Sequence, residues 1–425
     1  MRMKPFPVAL ITCAATLFAV FLTFNFMPSE TKIERQLQRL YTVEDPQFRR
    51  SMGVLLGPPM LEGNKVEVLL NGDEIFPAML AAIRGAKHTI TFETYIYWSE
   101  TIGKEFSDAL AERARAGVKV HVMLDWIGSI KMDEASMDAM RKSGIKLERF
   151  HKPVWWKFTK LNNRTHRKVL VIDGVVGFTG GVGIADQWRG NAESKGKWRD
   201  THFRVEGPVV GQMQAVFVDN WTKATGVVLD GAHYFPALQN SGGHAAQMFS
   251  SSPTGGSESM LLMYLMSITA AKSTIHLSSS YFVPDELTIK ALVAASKRGV
   301  KVRIITPGDD IDSAIVRAAS RARWGPLLQA GIEIAEYQPT MFHVKALVVD
   351  SLMVSVGSTN FDNRSFSLND EANLNVLDPA FAVAQVKIFD ADWAKAKVIT
   401  YAQWEDRPAT EKALSHLASM VGDQL

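Results

Sequence analysis

A single cysteine stands in 425 residues. Cys13 has no partner in the chain, which excludes an intramolecular disulfide framework and a multi-cysteine metal site. The count leaves the compartment open, because extracytoplasmic bacterial domains often lack cysteine. Charge of one sign is scarce too. Against 47 Lys and Arg stand 44 Asp and Glu, and the net +3 gives no argument for a nucleic-acid partner. Basic tracks with interleaved aromatics, which a nuclease needs, reduce to one stretch, His151-Lys152-Pro153-Val154-Trp155-Trp156-Lys157-Phe158. That stretch suits a bilayer interface as well, with Trp and Lys at headgroup level, and its plainest reading is a packed loop. Apolar residues are what the chain has in quantity: 47%, against 21% charged, the proportions of a globular enzyme. Its length suits two domains.

The first 30 residues differ from the rest. Arg2 and Lys4 precede an uncharged run from Pro7 to Met27. As a helix that run would span about 30 Å, the thickness of a bilayer core. A cleaved signal peptide is the competing reading. The run is long for such a segment, no small-x-small site follows it, and Cys13 sits mid-run rather than at a lipoprotein cleavage site. An uncleaved anchor over residues 1–30 is the preferred expectation. Positive charge on the short N-terminal flank then places the catalytic part outside the cytoplasm, although Lys32, Arg35 and Arg39 weaken that orientation. Residues 31–60 read as a charged, helical connector.

From about residue 61 strand and helix patterns alternate, which implies an α/β fold. Thr89–Tyr97 alternates as a strand, a helix at 101–115 carries Phe106, Leu110 and Ala114, and Val118–Leu124 is the next strand. The order then repeats. Ala271-Lys272-Ser273-Thr274-Ile275 echoes Ala86-Lys87-His88-Thr89-Ile90, and Tyr281-Phe282-Val283 echoes Tyr95-Ile96-Tyr97. The expected division is a domain over 61–225, a loop-like Gly/Ser-rich linker over 226–256, and a second domain over 257–425 ending in helices around 381–397.

Each half carries one copy of His-x-Lys-x4-Asp on an apolar run: His166, Lys168 and Asp173, then His343, Lys345 and Asp350. Side chains alternate along a strand, so each His and its Lys share a face. Asp173 lies an odd step from Lys168. On a regular strand it faces away, so the two Asp residues complete the pattern but read as turn or scaffold groups. Asp173-Gly174 is a strong hairpin signal. The returning strand ends at Gly180-Gly181, where a backbone could approach a phosphate closely. In the second copy the corresponding positions lead to Ser358 and Asn360.

Two His, two Lys and an Asn suit phosphodiester chemistry without a metal or cofactor. The ammonium groups offset the phosphate's charge. One neutral imidazole attacks phosphorus, and the other gives a proton to the leaving alkoxide. Each His needs a carboxylate to hold its tautomer. Asp200 and Glu371 are the candidates, with a surface acid as the equal alternative for each.

These residues resemble the phospholipase D superfamily, whose signature is this duplicated motif, and within it the bacterial cardiolipin synthase (cardiolipin synthase B-like) branch. The resemblance covers about residues 60–410 and rests also on Asn162-Asn163-Arg164-Thr165-His166, Trp198-Arg199-Asp200-Thr201-His202, Tyr281-Phe282-Val283-Pro284-Asp285 and Gly357–Phe366. It implies two α/β/α domains packed pseudo-symmetrically around one active site. It implies His166 as nucleophile and His343 as acid and base, and gives Asp200 and Glu371 the places of the His-orienting carboxylates. The chain departs from symmetry where Gly181 and Gly183 face Ser358 and Asn360. Phosphate contacts from the first half then come from backbone N–H groups or from Asn163 and Arg164. The function implied is a membrane-anchored phosphatidyltransferase of a bacterial inner membrane. It would make cardiolipin from phosphatidylglycerol through a phosphohistidine, without nucleic acid. Hydrolysis of the same bond is the alternative, a nuclease is less favoured, and a non-catalytic lipid-binding protein would need damaged motifs.

Overall fold

The Val-, Ile- and Leu-rich runs of both halves enter one mixed sheet of 16 strands. The computed structural model describes residues 5–26, 33, 35–151, 162–253 and 258–420. Two strands meet antiparallel at the sheet's middle, Leu61–Leu70 and His244–Ser251. Outward from Leu61–Leu70 the order is Thr201–Glu206, Val176–Gly180, Val169–Ile172, Thr89–Thr94, Lys119–Asp125 and Lys146–Phe150. Outward from His244–Ser251 it is Asn369–Leu377, Met353–Gly357, Ala346–Val349, Thr274–Ser278, Lys301–Pro307, Glu333–Tyr337 and Ala396–Ile399. Apart from the last strand, the two lists match in order and in sense. Thr89–Thr94 runs parallel to Lys119–Asp125, and Thr274–Ser278 parallel to Lys301–Pro307. The chain is therefore an α/β protein with a duplicated unit.

Parallel neighbours need a crossover. Helix Thr101–Arg115 supplies the first and Glu286–Lys297 the second. Helix Thr101–Arg115 buries Ile102, Phe106, Ala109 and Leu110, the stripe expected from spacing. Strand Val169–Ile172 is buried on both faces. Leu170 and Ile172 join the first half's core with Phe92 and Phe106. Val169 and Val171 join a different core, to which the second half contributes Val348, Val354 and Val356. The halves thus share apolar interior.

Several expectations change. His166 and Lys168, and likewise His343 and Lys345, precede the regular strands, which begin at Val169 and Ala346. The cause is hydrogen bonding across the halves. His166 N–H donates to the Asp370 carbonyl (2.8 Å) and His343 N–H to the Arg199 carbonyl (2.7 Å), which draws both segments off the ladder. The 226–256 stretch, read from composition as a loop, contains the central strand His244–Ser251. Its Ala246 and Met248 enter the shared core while Phe249 enters the second half's core. Averaged composition hides this alternation between Gly/Ser neighbours. The connector is helical over Pro46–Leu55, where Phe48 and Met52 are fully buried. Helix Pro379–Trp393 ends before the expected 397, and Ala396–Ile399 instead pairs with Glu333–Tyr337.

The N-terminal run forms helix Pro5–Phe26, with exposed Leu10, Ile11, Leu17 and Phe18. Among the described residues no helix is long and apolar enough to cross a membrane. The Trp155-Trp156 stretch lies outside the described residues from Lys152 onward.

Both motif Asp residues occupy turns with positive φ, Asp173 at 51° and Asp350 at 52°. Gly174 follows at 68°, giving the left-handed pair that a tight hairpin requires. The Asp173 carboxylate accepts from the N–H groups of Lys87 (2.9 Å), His88 (2.7 Å) and Thr89 (2.8 Å). Asp350 repeats this on Lys272, Ser273 and Thr274. Each Asp pins the start of the adjacent antiparallel strand, Thr89–Thr94 or Thr274–Ser278, to the motif hairpin. Asp173→Ala removes three charge-assisted acceptor contacts and should lower unfolding free energy by about 2–4 kcal/mol. Denaturant titration checks this, and an unchanged midpoint would show the turn is held by other means.

Candidate active site

The two imidazoles line one cavity of about 280 Å³, each held from behind by a carboxylate. His166 Nδ1 meets Glu371 Oε1 at 3.0 Å and Oε2 at 3.1 Å. His343 Nδ1 meets Asp200 Oδ2 at 2.7 Å. The pairing is crossed, so each His takes its carboxylate from the other half. A carboxylate accepts only, so Nδ1–H donates to it and Nε2 keeps its lone pair. The carboxylates are themselves anchored. Glu371 accepts from Ser358 Oγ and from Asn369 Nδ2 (3.2 Å). Asp200 accepts from Trp188 Nε1 (3.0 Å) and Thr201 N–H (2.8 Å).

The lysines fold back on their own motifs. Lys168 Nζ donates to the His166 carbonyl (2.8 Å), and Lys345 Nζ to the His343 carbonyl (2.9 Å) and Ser280 Oγ (2.5 Å). All four groups are buried, the histidines 8% and 9% exposed and each lysine 3%. Loss of water sets their protonation. Burial pushes His166 down to about 4 against the pull of Glu371. Burial, with Lys345 beside it, pushes His343 down to about 3. Burial also brings Lys168 to about 7 and Lys345 to about 8. Burial opposes ionisation of Glu371, but His166, Lys168 and Ser358 together outweigh it and hold the acid at about 2. Asp200 is likewise depressed, with His343, Lys345 and the Thr201 N–H together outweighing its burial. The resting site holds neutral imidazoles, ionised carboxylates and lysines poised near neutrality. An anion entering the cavity favours the charged form of every base there.

Asn360 and Arg164 line the cavity, and the buried Asn360 Oδ1 has no hydrogen-bond partner among the described residues. Other expected phosphate contacts lie elsewhere. Ser358 is spent on Glu371, so it orients the His166 carboxylate. Gly181 N–H donates to the Thr201 carbonyl (3.1 Å), and a Cβ on Gly181 would stand 2.2 Å from Asp200 Oδ1. The glycine makes room for the carboxylate that holds His343. Gly180 pairs with His202 in the ladder, and a Cβ there would meet the Thr201 carbonyl at 2.6 Å. Asn163 is buried, with its carbonyl accepting from Arg164 Nη1 (2.8 Å), and does not line the cavity. Asp173 and Asp350 sit at their turns, off the cavity wall.

The aromatic shell was missed. Tyr95 stands edge-on to His166 at 5.1 Å, and Trp188 and Trp198 flank His343 at 5.2 and 5.3 Å. Tyr281 donates to Asp312 (2.8 Å) at the cavity, and Asp362 and Arg364 also line it. Burial raises Asp362 to about 7, although it caps helix Asn363–Ser367 through Ser365 N–H. The repeated Tyr95 and Tyr281 were the available signal, since each opens a matched segment of the two halves. No cluster of three His, Cys, Asp or Glu side chains suited to a metal occurs among the described residues.

A family model described as cardiolipin synthase, PLD-like domain, matches residues 79–221 and 264–393, one span around each His/Lys pair. The chain belongs to this phospholipase D-like cardiolipin synthase family. Within the family, the cardiolipin synthase of Geobacillus kaustophilus is 36% identical over 354 residues, covering 82% of this chain and 70% of that protein. Cardiolipin synthase A of Pseudomonas syringae pv. syringae is 36% identical over 354 residues, covering 83% and 73%. Among solved structures, phosphatidylserine synthase of Haemophilus influenzae has the same fold, with a TM-score of 0.68 at 13% identity, covering 89% of this chain and all of that one.

Glu371→Gln presents an amide to Nδ1 and loses the acceptor pair that fixes the His166 tautomer. Turnover should fall about 10³-fold or more, with Asp200→Asn comparable, as steady-state kinetics on the two variants will read. The lysines set a second expectation. Affinity for a monoanionic phosphodiester such as diethyl phosphate should fall about tenfold or more between about pH 6 and about pH 9, as both ammoniums deprotonate. Calorimetric titration across that range measures it, and pH-independent binding would remove the lysines from anion capture.

Proposed function

We propose that this chain joins two phosphatidylglycerol molecules into cardiolipin and releases glycerol, through a phosphohistidine and without a metal. The observation that carries the reading is the pair of carboxylate-held imidazoles facing one buried cavity beside two lysines. Phospholipid phosphatidyl transfer agrees with the names of the relatives. In this reading His166 Nε2 attacks phosphorus and the P–O bond to glycerol breaks. His343, protonated at Nε2 as the anionic substrate enters, passes that proton to the departing oxygen. It then takes a proton from a hydroxyl of the second lipid, whose oxygen displaces His166. Lys168, Lys345 and the Asn360 amide surround the phosphoryl oxygens as charge builds. The two halves act as α/β/α units related by a pseudo-dyad through the cavity. Helix Pro5–Phe26 would tether the enzyme to a bacterial cell membrane, its exposed apolar side chains suiting lipid, with the catalytic part outside the cytoplasm.

Purified protein incubated with phosphatidylglycerol should give cardiolipin plus glycerol by mass spectrometry. Phosphatidic acid alone would mean water is the acceptor. The double variant His166→Ala, His343→Ala should give neither product, and surviving turnover would sink the mechanism.

A further inference from the structure

Each orienting carboxylate has a charged neighbour on the chain, and the two neighbours differ in sign. Arg199 precedes Asp200, and Asp370 precedes Glu371. The carbonyl of each accepts the N–H of the motif His in the other half. Both side chains are buried, and both face an opposite charge in the other half. Arg199 meets Asp392 of helix Pro379–Trp393 as a two-pronged fork, Nε to Oδ1 at 2.9 Å and Nη2 to Oδ2 at 2.8 Å. Asp370 Oδ1 comes only within 3.7 Å of Arg167 Nη2 and 3.9 Å of Lys223 Nζ, and it has no hydrogen-bond partner among the described residues. Arg167 Nη2 donates instead to Asp219 Oδ2 (3.2 Å) and the Ser251 carbonyl (3.1 Å). The clamp is closed behind His343 and open behind His166.

The other groups of Arg199 serve the same place. Nη1 donates to the Asp200 carbonyl (2.7 Å) and Asn71 Oδ1 (3.2 Å), and the backbone N–H donates to the Met341 carbonyl (2.9 Å). Residues 199 and 200 therefore grip the second motif twice, along the backbone on either side of Phe342 and at the imidazole Nδ1. They belong to the first half, while His343 belongs to the second. Asp392 adds a side-chain tie to that second half. Its helix also sends Phe389 into the buried cluster of Phe342 and Val344, the residues flanking His343. A buried ion pair adds little stability, since taking two charges out of water costs about what their attraction returns. A guanidinium–carboxylate fork supplies fixed direction instead.

We propose that Arg199 and Asp392 are a positioning pair for the acid–base histidine: they hold the Asp200 carboxylate in line with His343 Nδ1, so that Nε2 stays aimed at the departing and incoming oxygens. The proposal rests on the transferase reading, with His166 as nucleophile and His343 as acid and base. It makes the pair's effect specific to proton transfer. When glycerol leaves, His166 Nε2 forms the P–N bond, the P–O bond breaks, and the departing oxygen takes the proton of His343. When p-nitrophenol is the leaving group, the same bonds form and break, but the oxygen departs as a stable anion and needs no proton. A displaced Asp200 slows the first reaction and spares the second. Misplacement by about 1 Å is enough to cost about 10²-fold.

The test uses the full-length enzyme in detergent micelles with two donors, phosphatidylglycerol and phosphatidyl-p-nitrophenol. Asp392→Asn removes the charge of the fork, and Arg199→Lys keeps the charge but loses the fork. Each should lower kcat for cardiolipin formation about tenfold or more, with KM unchanged. Release of the first equivalent of p-nitrophenolate, followed by absorbance after rapid mixing, should stay near the wild-type rate, and its amplitude counts the folded sites. A proportionate loss on both donors makes the pair a general support of the fold and overturns the proposal, as does an unchanged rate on both. His343→Ala tests the underlying reading separately. It should abolish cardiolipin formation yet still release the first equivalent. If it releases none, His343 is not the acid, and the assignment of roles fails together with the pair. If His343→Ala releases it and Asp392→Asn does not, the assignment stands and the positioning pair alone fails.

Discussion

The crossed imidazole–carboxylate pairs are the interaction on which the site depends. Nδ1 of His166 is tied to Glu371 and Nδ1 of His343 to Asp200, each bond running between halves. The bonds do three things together. They select the tautomer, they aim both Nε2 atoms at one cavity, and they fasten the halves at the point where chemistry occurs. The backbone repeats the pattern, since each His also donates its N–H to the other half. Neither half holds a complete set of reacting groups on its own.

Such an arrangement is costly to bury. Four ionisable groups and two carboxylates lie almost out of water, and burial moves every base toward its neutral form. The site is therefore held short of positive charge, and a phosphodiester anion favours the charged forms. Charging the site and binding substrate are then one event. The glycines beside the motif belong to the same economy of space. Gly181 stands where any side chain would meet the Asp200 carboxylate.

Much of this was legible in the residues, because the information was local or repeated. The duplicated motif marks the corresponding strands Val169–Ile172 and Ala346–Val349 of the two halves, and the parity of Asp173 separates it from His166 and Lys168. What could not be read was contact between distant segments. Spacing along one strand does not say that Glu371 reaches His166 rather than His343. Nor does it say that Ser358 serves a carboxylate rather than a phosphate. The Arg364 side chain lines the cavity where helix Asn363–Ser367 of one half meets the Asn162–Asn163 segment of the other. Strand His244–Ser251 was masked by its flanks, since its apolar alternation is short and sits between Gly- and Ser-rich turns.

That strand carries a further consequence. Leu61–Leu70 and His244–Ser251 pair directly and splice the two half-sheets into one. The separation of the two imidazoles is thus held by this pairing and by the cross-half bonds at the histidines rather than by the length of the tether between the halves. Residues could be added to or lost from the Gly/Ser turns on either side of the splice while the two reacting nitrogens kept their spacing.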